Sequence, residues 1–217
     1  FYNAGLSVDG GITVNIGAVN KLPANMFNGG STTGNTVNVG AVNFNGASIA
    51  AGNFGAYAFA YNRNLKTVNF SNTSIEEIGS YAFFNTAVGV IAIPDEVKTI
   101  KNNAFANSSL SNLQFTNNST LAIIEENAFT SSKVGVVGIP EGVTSIGANA
   151  FLNCAALTRV TFGGKSIKTV SGSTFEGCTA LEPAALPEGV ETIGQRAVNG
   201  CSSLETITVP ASVPSIG

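Results

Sequence analysis

Apolar residues return along this chain at two nested spacings, one of two residues and one of 22 to 24. The long spacing shows in an apolar pair, usually Ala-Phe, whose second member falls at Phe59, Phe83, Phe105, Phe129, Phe151 and Phe175, with Val198 in the equivalent place. The intervals are 24, 22, 24, 22, 24 and 23. Ahead of each pair stands Ile-Gly or its equivalent: Ile78-Gly79, Ile100, Ile124, Ile146-Gly147, Val170, Ile193-Gly194 and Ile216-Gly217. Between these lies a segment of the form L-x-x-I-x-I, seen as Leu65, Val68, Phe70, then Val88, Ile91, Ile93, then Leu110, Leu113, Phe115. It continues as Val134, Val137, Ile139, then Leu157, Val160, Phe162, then Leu204, Ile207, Val209. Alternation over its last positions is the two-residue period of a strand with one buried face. So short a segment makes no sheet alone, so successive strands are expected to pair in parallel, about 4.8 Å apart, each apolar row stacking on its copy in the next coil.

Two coil types alternate. The shorter places proline after its strand, as in Ile93-Pro94-Asp95-Glu96-Val97, Ile139-Pro140-Glu141-Gly142-Val143 and Leu186-Pro187-Glu188-Gly189-Val190. Proline lacks the N–H a ladder needs, so the strand ends there. The longer type ends its strand in Phe and inserts a polar corner: Phe70-Ser71-Asn72-Thr73, Phe115-Thr116-Asn117-Asn118 and Phe162-Gly163-Gly164-Lys165. The Ala-Phe segments, bounded by polar breaks after four to six residues, are expected to form short helical turns with Phe pointing inward. A second short strand over V-x-x-I, as at Val143 to Ile146, is not separable from extended coil by pattern alone.

The first fifty residues follow the rule loosely. Val14-Asn15-Ile16-Gly17-Ala18-Val19-Asn20 recurs as Val37-Asn38-Val39-Gly40-Ala41-Val42-Asn43, a shift of 23, and Leu22-Pro23-Ala24-Asn25-Met26-Phe27 resembles Ile146 to Phe151. Residues 1–54 are therefore expected to be degenerate opening coils that cap the array, and 55–217 to form about seven coils of 22–24 residues. Val213-Pro214-Ser215-Ile216-Gly217 stops in mid-repeat without a polar cap, so either more chain is expected to follow or the last coil is exposed.

Composition fits a chain that turns often. Charged residues are 11%, against roughly 25% in an average soluble domain, while Gly and Asn, which tolerate positive φ, number 25 each. The formal charge is −3 and the cations are scattered, so no row of phosphates would be neutralised and nucleic acid is not an expected partner. The longest apolar stretch, Ala87 to Ile93, ends at Pro94 and falls far short of the roughly 20 residues that span a bilayer. No charged segment leading into an apolar run opens the sequence, so any secretion leader would lie ahead of Phe1. Cys154, Cys178 and Cys201 stand 24 and 23 apart, equivalent positions on successive coils, and read as buried small hydrophobes rather than a disulfide or a metal site.

The run from Ile139-Pro140-Glu141-Gly142-Val143 through Ile146-Gly147, Ala150-Phe151 and Cys154 to Leu157 and Val160 resembles the repeat of BspA-type leucine-rich repeat proteins, also called Treponema-type. The resemblance covers about Gly55 to Gly217 and weakens before it; the Cys position is filled in only three coils, and Ala197-Val198 departs from Ala-Phe. It implies an α/β architecture, a curved, right-handed leucine-rich repeat solenoid with short parallel strands and short helical turns. It also implies display on the surface of a host-associated or gut bacterium, or in some cases a protist, and adhesion to host or microbial proteins. The family shares no catalytic residues to carry over.

The residues themselves argue against catalysis. Histidine is absent, which removes the usual general base and the commonest metal ligand; no enzyme activity, cofactor or metal is expected. Glu76-Glu77 and Glu125-Glu126 look like corresponding places two coils apart and read as a solvated edge. Gly164-Lys165-Ser166 ends like a phosphate-binding loop, but the first glycine would fall at Arg159, so it reads as a corner. Asn72-Thr73-Ser74, Asn107-Ser108-Ser109 and Asn118-Ser119-Thr120 match glycosylation acceptors and read as chance in so Asn-rich and Ser-rich a chain.

What remains is the strand face the core does not use: Thr67 and Asn69, Val90 and Ala92, Asn112 and Gln114, Val136 and Gly138, Arg159 and Thr161, Thr206 and Thr208. Polar and small apolar rows should alternate there with the coil type. The residues picked as ligand contacts are Lys66, Asn69, Gln114, Arg159 and Thr161. The expected role is a monomeric, extracellular or surface-bound binding module for a protein or glycan; the rival is a structural spacer that displays another domain.

Overall fold

The computed structural model describes residues 9–30 and 37–214. Ile12–Ile16, Val39–Phe44 and Thr67–Asn69 form one parallel sheet, and Val90–Ala92, Asn112–Gln114, Val136–Ile139 and Arg159–Phe162 a second. Ala184–Ala185 and Ile207–Thr208 pair beyond them. Thr67–Asn69 packs against Val90–Ala92, and Arg159–Phe162 against Ala184–Ala185, so these sheets run on as one ladder. The alternation read from sequence is the alternation of burial: Val68, Ile91, Leu113, Val137 and Val160 are buried, each between two exposed residues. The short V-x-x-I segments do form strands. Glu77–Ile78, Thr99–Ile100, Ile123–Ile124, Ser145–Ile146, Thr169–Val170 and Thr192–Ile193 make a six-stranded parallel sheet, and Ser48–Ile49 pairs with Ser74–Ile75.

Between the two ladders lies a column of stacked rings. Phe27, Phe59, Phe83, Phe105, Phe129, Phe151 and Phe175 follow one another at centroid distances of 5.5, 5.5, 5.4, 5.5, 5.2 and 5.6 Å, with interplanar angles of 11° or less. Offset stacking at this separation adds about 0.5–1.5 kcal/mol per pair beyond the burial itself. Phe at each coil therefore points inward, as the period requires.

The Ala-Phe segments are not helical: no helix occurs among the described residues, and the architecture is a β-solenoid rather than α/β. The reason lies in where the N–H groups go. Those of Asn103, Phe105 and Asn107 donate to the carbonyls of Glu126, Ala128 and Thr130 in the next coil, while those of Ala104, Ala106 and Ser108 close tight turns on Lys101, Asn103 and Phe105. A helix would direct every N–H to its own chain four residues back; here half of them join coils. Aiming alternate groups along the stack needs left-handed backbone at Asn103 (φ 57°) and Asn107 (φ 56°), and the pattern recurs at Asn127 and Ser131 and at Asn149 and Asn153. Asn visits that region most cheaply of the non-glycine residues, which accounts for Asn at these turns.

Three residues after the Ala-Phe pair, several side chains meet a phenylalanine carbonyl, of their own coil or of the preceding one. Thr86 donates to Phe83 O at 2.9 Å and Ser108 to Phe105 O at 2.7 Å. The thiols of Cys154, Cys178 and Cys201 donate to Phe129, Phe151 and Phe175 O, each at 3.1 Å. Cys154 and Cys178 are buried, Cys201 is half-buried, and all three are free thiols. They are small core residues, as read, with a hydrogen bond that reading missed. Burial pushes the Cys154 thiol up to about 11 and also raises Cys178 and Cys201.

The opening coils pair in a different register from their sequence repeat. A shift of 23 would set Val14 on Val37; the strands instead match Val14 with Val42, Asn15 with Asn43 and Ile16 with Phe44, a shift of 28. This register stacks Val14 on Val42 and Ile16 on Phe44, all four in the core. Phe27 behaves like its later counterparts, stacking on Phe59 although 32 residues separate them. The expected coil end at Ile216-Gly217 lies outside the described residues.

Glycine in the Ile-Gly pair has a packing reason at Gly147, where a Cβ would sit 2.5 Å from the backbone nitrogen of Glu126 in the preceding coil. No helix among the described residues is long and apolar enough to cross a membrane.

Candidate binding face

The outward face of the longer ladder carries two rows. One runs Thr67, Val90, Asn112, Val136, Arg159; the other runs Asn69, Ala92, Gln114, Gly138, Thr161. All ten are exposed, Val90 by 52% and Val136 by 56%. Longer coils contribute the polar members and shorter coils the small or apolar ones, so the expected stripes are present. The cause is strand parity: parallel pairing without offset carries each outward position onto its counterpart.

Asn69, Gln114 and Thr161 share a row at every second rung, spaced by about 10 Å. Arg159 lies in the neighbouring row on the strand of Thr161, and Lys66 stands just ahead of the first of these strands, its N–H held by Gly40 O at 3.0 Å. Asn69, Gln114, Arg159 and Thr161 thus occupy one face, with exposed Lys66 at the entry to its first strand, and the five do not converge on one pocket. Their freedom differs. The Asn69 carboxamide oxygen accepts from the Ser71 N–H at 2.9 Å and the Ser71 hydroxyl at 2.6 Å, and Arg159 sits 3.8 Å from Glu182.

Clefts open where strands end and corners begin, and sequence reasoning did not single these out. One of about 510 Å³ lies between the Phe162-Gly163-Gly164-Lys165 and Leu186-Pro187-Glu188 corners, with Arg159 and Thr161 on its rim. Another of about 440 Å³ lies between the Phe70 and Pro94 corners, and a third of about 410 Å³ beside the opening strands; Asn69 borders both. The signal that could have found them was present, since a wide polar corner next to a tight proline corner leaves a step. Gly164-Lys165-Ser166 is such a corner: Lys165 pairs with Glu188 of the next coil.

The carboxylates form rungs between coils. Glu76 pairs with Lys98 at 3.1 Å, Glu125 with Lys101 at 2.8 Å, and Glu191 with Lys168 at 2.9 Å. The Ala51 N–H first, then Lys98, hold the Glu76 carboxyl below its usual range, and the hydrogen bond to Glu125 raises Lys101. Glu76-Glu77 and Glu125-Glu126 are not corresponding places. Pairing through Thr99 aligns Glu77 with Ile123, which leaves Glu125 two residues further on. Nor is the edge uniformly solvated, because Glu77 is only 5% exposed. Among the described residues no group of three or more Cys, Asp or Glu is placed to hold a metal ion.

A search of curated protein sequences found no match. Among solved structures, a leucine-rich repeat protein from Bacteroides ovatus is similar at a TM-score of 0.71 and 28% identity over 95% of this chain and 48% of that one. The pneumococcal vaccine antigen PcpA follows at 0.65 and 19% identity over 94% and 62%. A leucine-rich repeat protein of T. pallidum follows at 0.57 and 22% identity over 94% and 88%. The last two likenesses speak to the fold alone, and the chain spans only about half of the Bacteroides protein and under two thirds of PcpA. The model of the BspA type leucine rich repeat region matches in six copies over residues 52–182 and 100–217. With that match over most of its length, and with a ladder strand, a short V-x-x-I strand and a stacked ring recurring along the coils, the chain belongs to the BspA-type leucine-rich repeat family.

Proposed function

We propose that this chain is a non-enzymatic binding module, working outside the cell or at its surface, that adheres to a host or microbial protein or glycan through the exposed face of its longer strand ladder. The observation that carries this is the face itself: two outward rows held in register by the coils behind them, varied in chemistry while the inward rows are nearly invariant. Exposed apolar Val90 and Val136 flank Asn112, with Lys66, Asn69, Gln114, Arg159 and Thr161 around them, a mix of apolar centre and polar surround that suits protein recognition. No cofactor takes part, and the array acts as a monomer.

The wide spacing of the five polar residues favours a second reading, in which the array is a spacer that displays another domain. A cell-adhesion assay with the full-length protein separates the two. Replacing Lys66, Asn69, Gln114, Arg159 and Thr161 together by Ala should reduce adhesion at least about tenfold, the loss of a few contacts worth roughly 1 kcal/mol each. A spacer would adhere as before.

A further inference from the structure

The opening coils carry an outward row unlike the rest. Asn15, Asn43 and Asn69 stand opposite one another on three successive strands, one carboxamide per rung. Asn43 Nδ2 donates to Asn15 Oδ1 at 2.9 Å, and the oxygen of Asn69 is taken by Ser71. This fixes what is left over. Asn15 and Asn69 keep their amide N–H donors, and Asn43 keeps its oxygen and one N–H, so donors stand at every rung with an acceptor at the middle one, the rungs about 4.8 Å apart. The row borders the cleft of about 410 Å³, which Asn45, Ser71 and Asn72 also line and in whose lining no residue is charged. The cleft shares Asn69 with the neighbouring one, whose wall includes half-buried Phe70, itself stacked on Phe44 at 4.9 Å.

We propose that this groove is a subsite for a neutral polysaccharide lying along the solenoid, an inference that rests on the reading of the chain as a binding module and names one ligand class for it. The chemistry selects the class. A hydroxyl both donates and accepts, so hydroxyls along a sugar chain answer a row that mixes donors with an acceptor. A phosphate or carboxylate only accepts; it would leave the Asn43 oxygen unmatched and would find no cation in the lining. A cation would find no carboxylate in that lining; Asp95 and Glu96 stand in the neighbouring cleft, on its side away from the Asn row. The C–H face of a sugar ring can lie against Phe70, where an apolar surface would otherwise meet water.

The test is mobility of the full chain in native gels cast with hydroxyethyl cellulose, mannan or dextran as neutral probes and heparin as an acidic one. The expected result is retardation by at least one neutral probe, unchanged by added salt, with the half-retarding concentration raised about tenfold or more in Asn15→Ala/Asn43→Ala. Asn43→Thr, which keeps a strand-favouring side chain, should weaken it less, and thermal unfolding of each variant checks that the coils stay folded. Retardation by no neutral probe, equal retardation of the folded double variant, or retardation by heparin alone overturns the proposal. Asn15 and Asn43 lie outside the five residues tested for adhesion. A failure here with adhesion still sensitive to those five would therefore strike this subsite and leave the binding module standing.

Discussion

The column of rings inside the solenoid and the rows of side chains outside it are made by the same rungs, yet they obey opposite rules. Inside, Phe83, Phe105, Phe129 and Phe151 repeat one residue because each ring is packed by its own copies and any change is felt on both sides. Outside, once past the opening Asn15, Asn43 and Asn69, the row runs Ala92, Gln114, Gly138 and Thr161 and changes residue at every rung, because its neighbour on one side is solvent. Stability is thus concentrated on one parity of the chain, and the other is left free to vary for contact.

The strongest way to break this contrast is to cut the column. Phe105→Ala should cost about 3–5 kcal/mol in chemical denaturation, the usual loss for a buried ring whose cavity cannot collapse. Next is the donor behind the ring. Ser108→Ala removes the hydroxyl from Phe105 O but leaves it the Ser108 N–H, and should cost about 0.5–1.5 kcal/mol by the same measurement.

A smaller inside effect is set by pH. Burial raises the Cys154 thiol to about 11, so the native state keeps a proton that the unfolded chain releases near the ordinary 9.0. Native protein binds more protons across that window, so stability should be intact below about 9 and fall as pH rises toward 11. In a thiol-alkylation time course at pH 8, half-buried Cys201 should react before Cys154 and Cys178. The smallest effect belongs outside. Gln114→Ala should change unfolding free energy by less than about 0.5 kcal/mol; a larger loss would mean that the outer row, too, serves the fold.

Much of this was legible in the residues. The ring column, the outward parity of Asn69, Gln114 and Thr161, and the proline-ended short coils all follow from periods in side-chain polarity. The cleft at Asn15, Asn43 and Asn69 was not legible, because it depends on a register of 28 where the repeated heptad pointed to 23. Nor was the place of Glu125, which answers Lys101 of the preceding coil rather than matching Glu76.

By itself, the sequence determined the period, the buried and exposed parities and the rings' inward aim, since each is a statement about which side chains avoid water. Only the tertiary structure decided that the Ala-Phe segments are left-handed turns instead of helical ones, and which opening residues face each other. The physical reason is that both depend on a partner in the next coil: the Asn103 N–H reaches Glu126 O and Phe105 reaches Ala128 O. A pattern of side-chain polarity records whether a residue is covered, but not which strand supplies the hydrogen-bond acceptor above it.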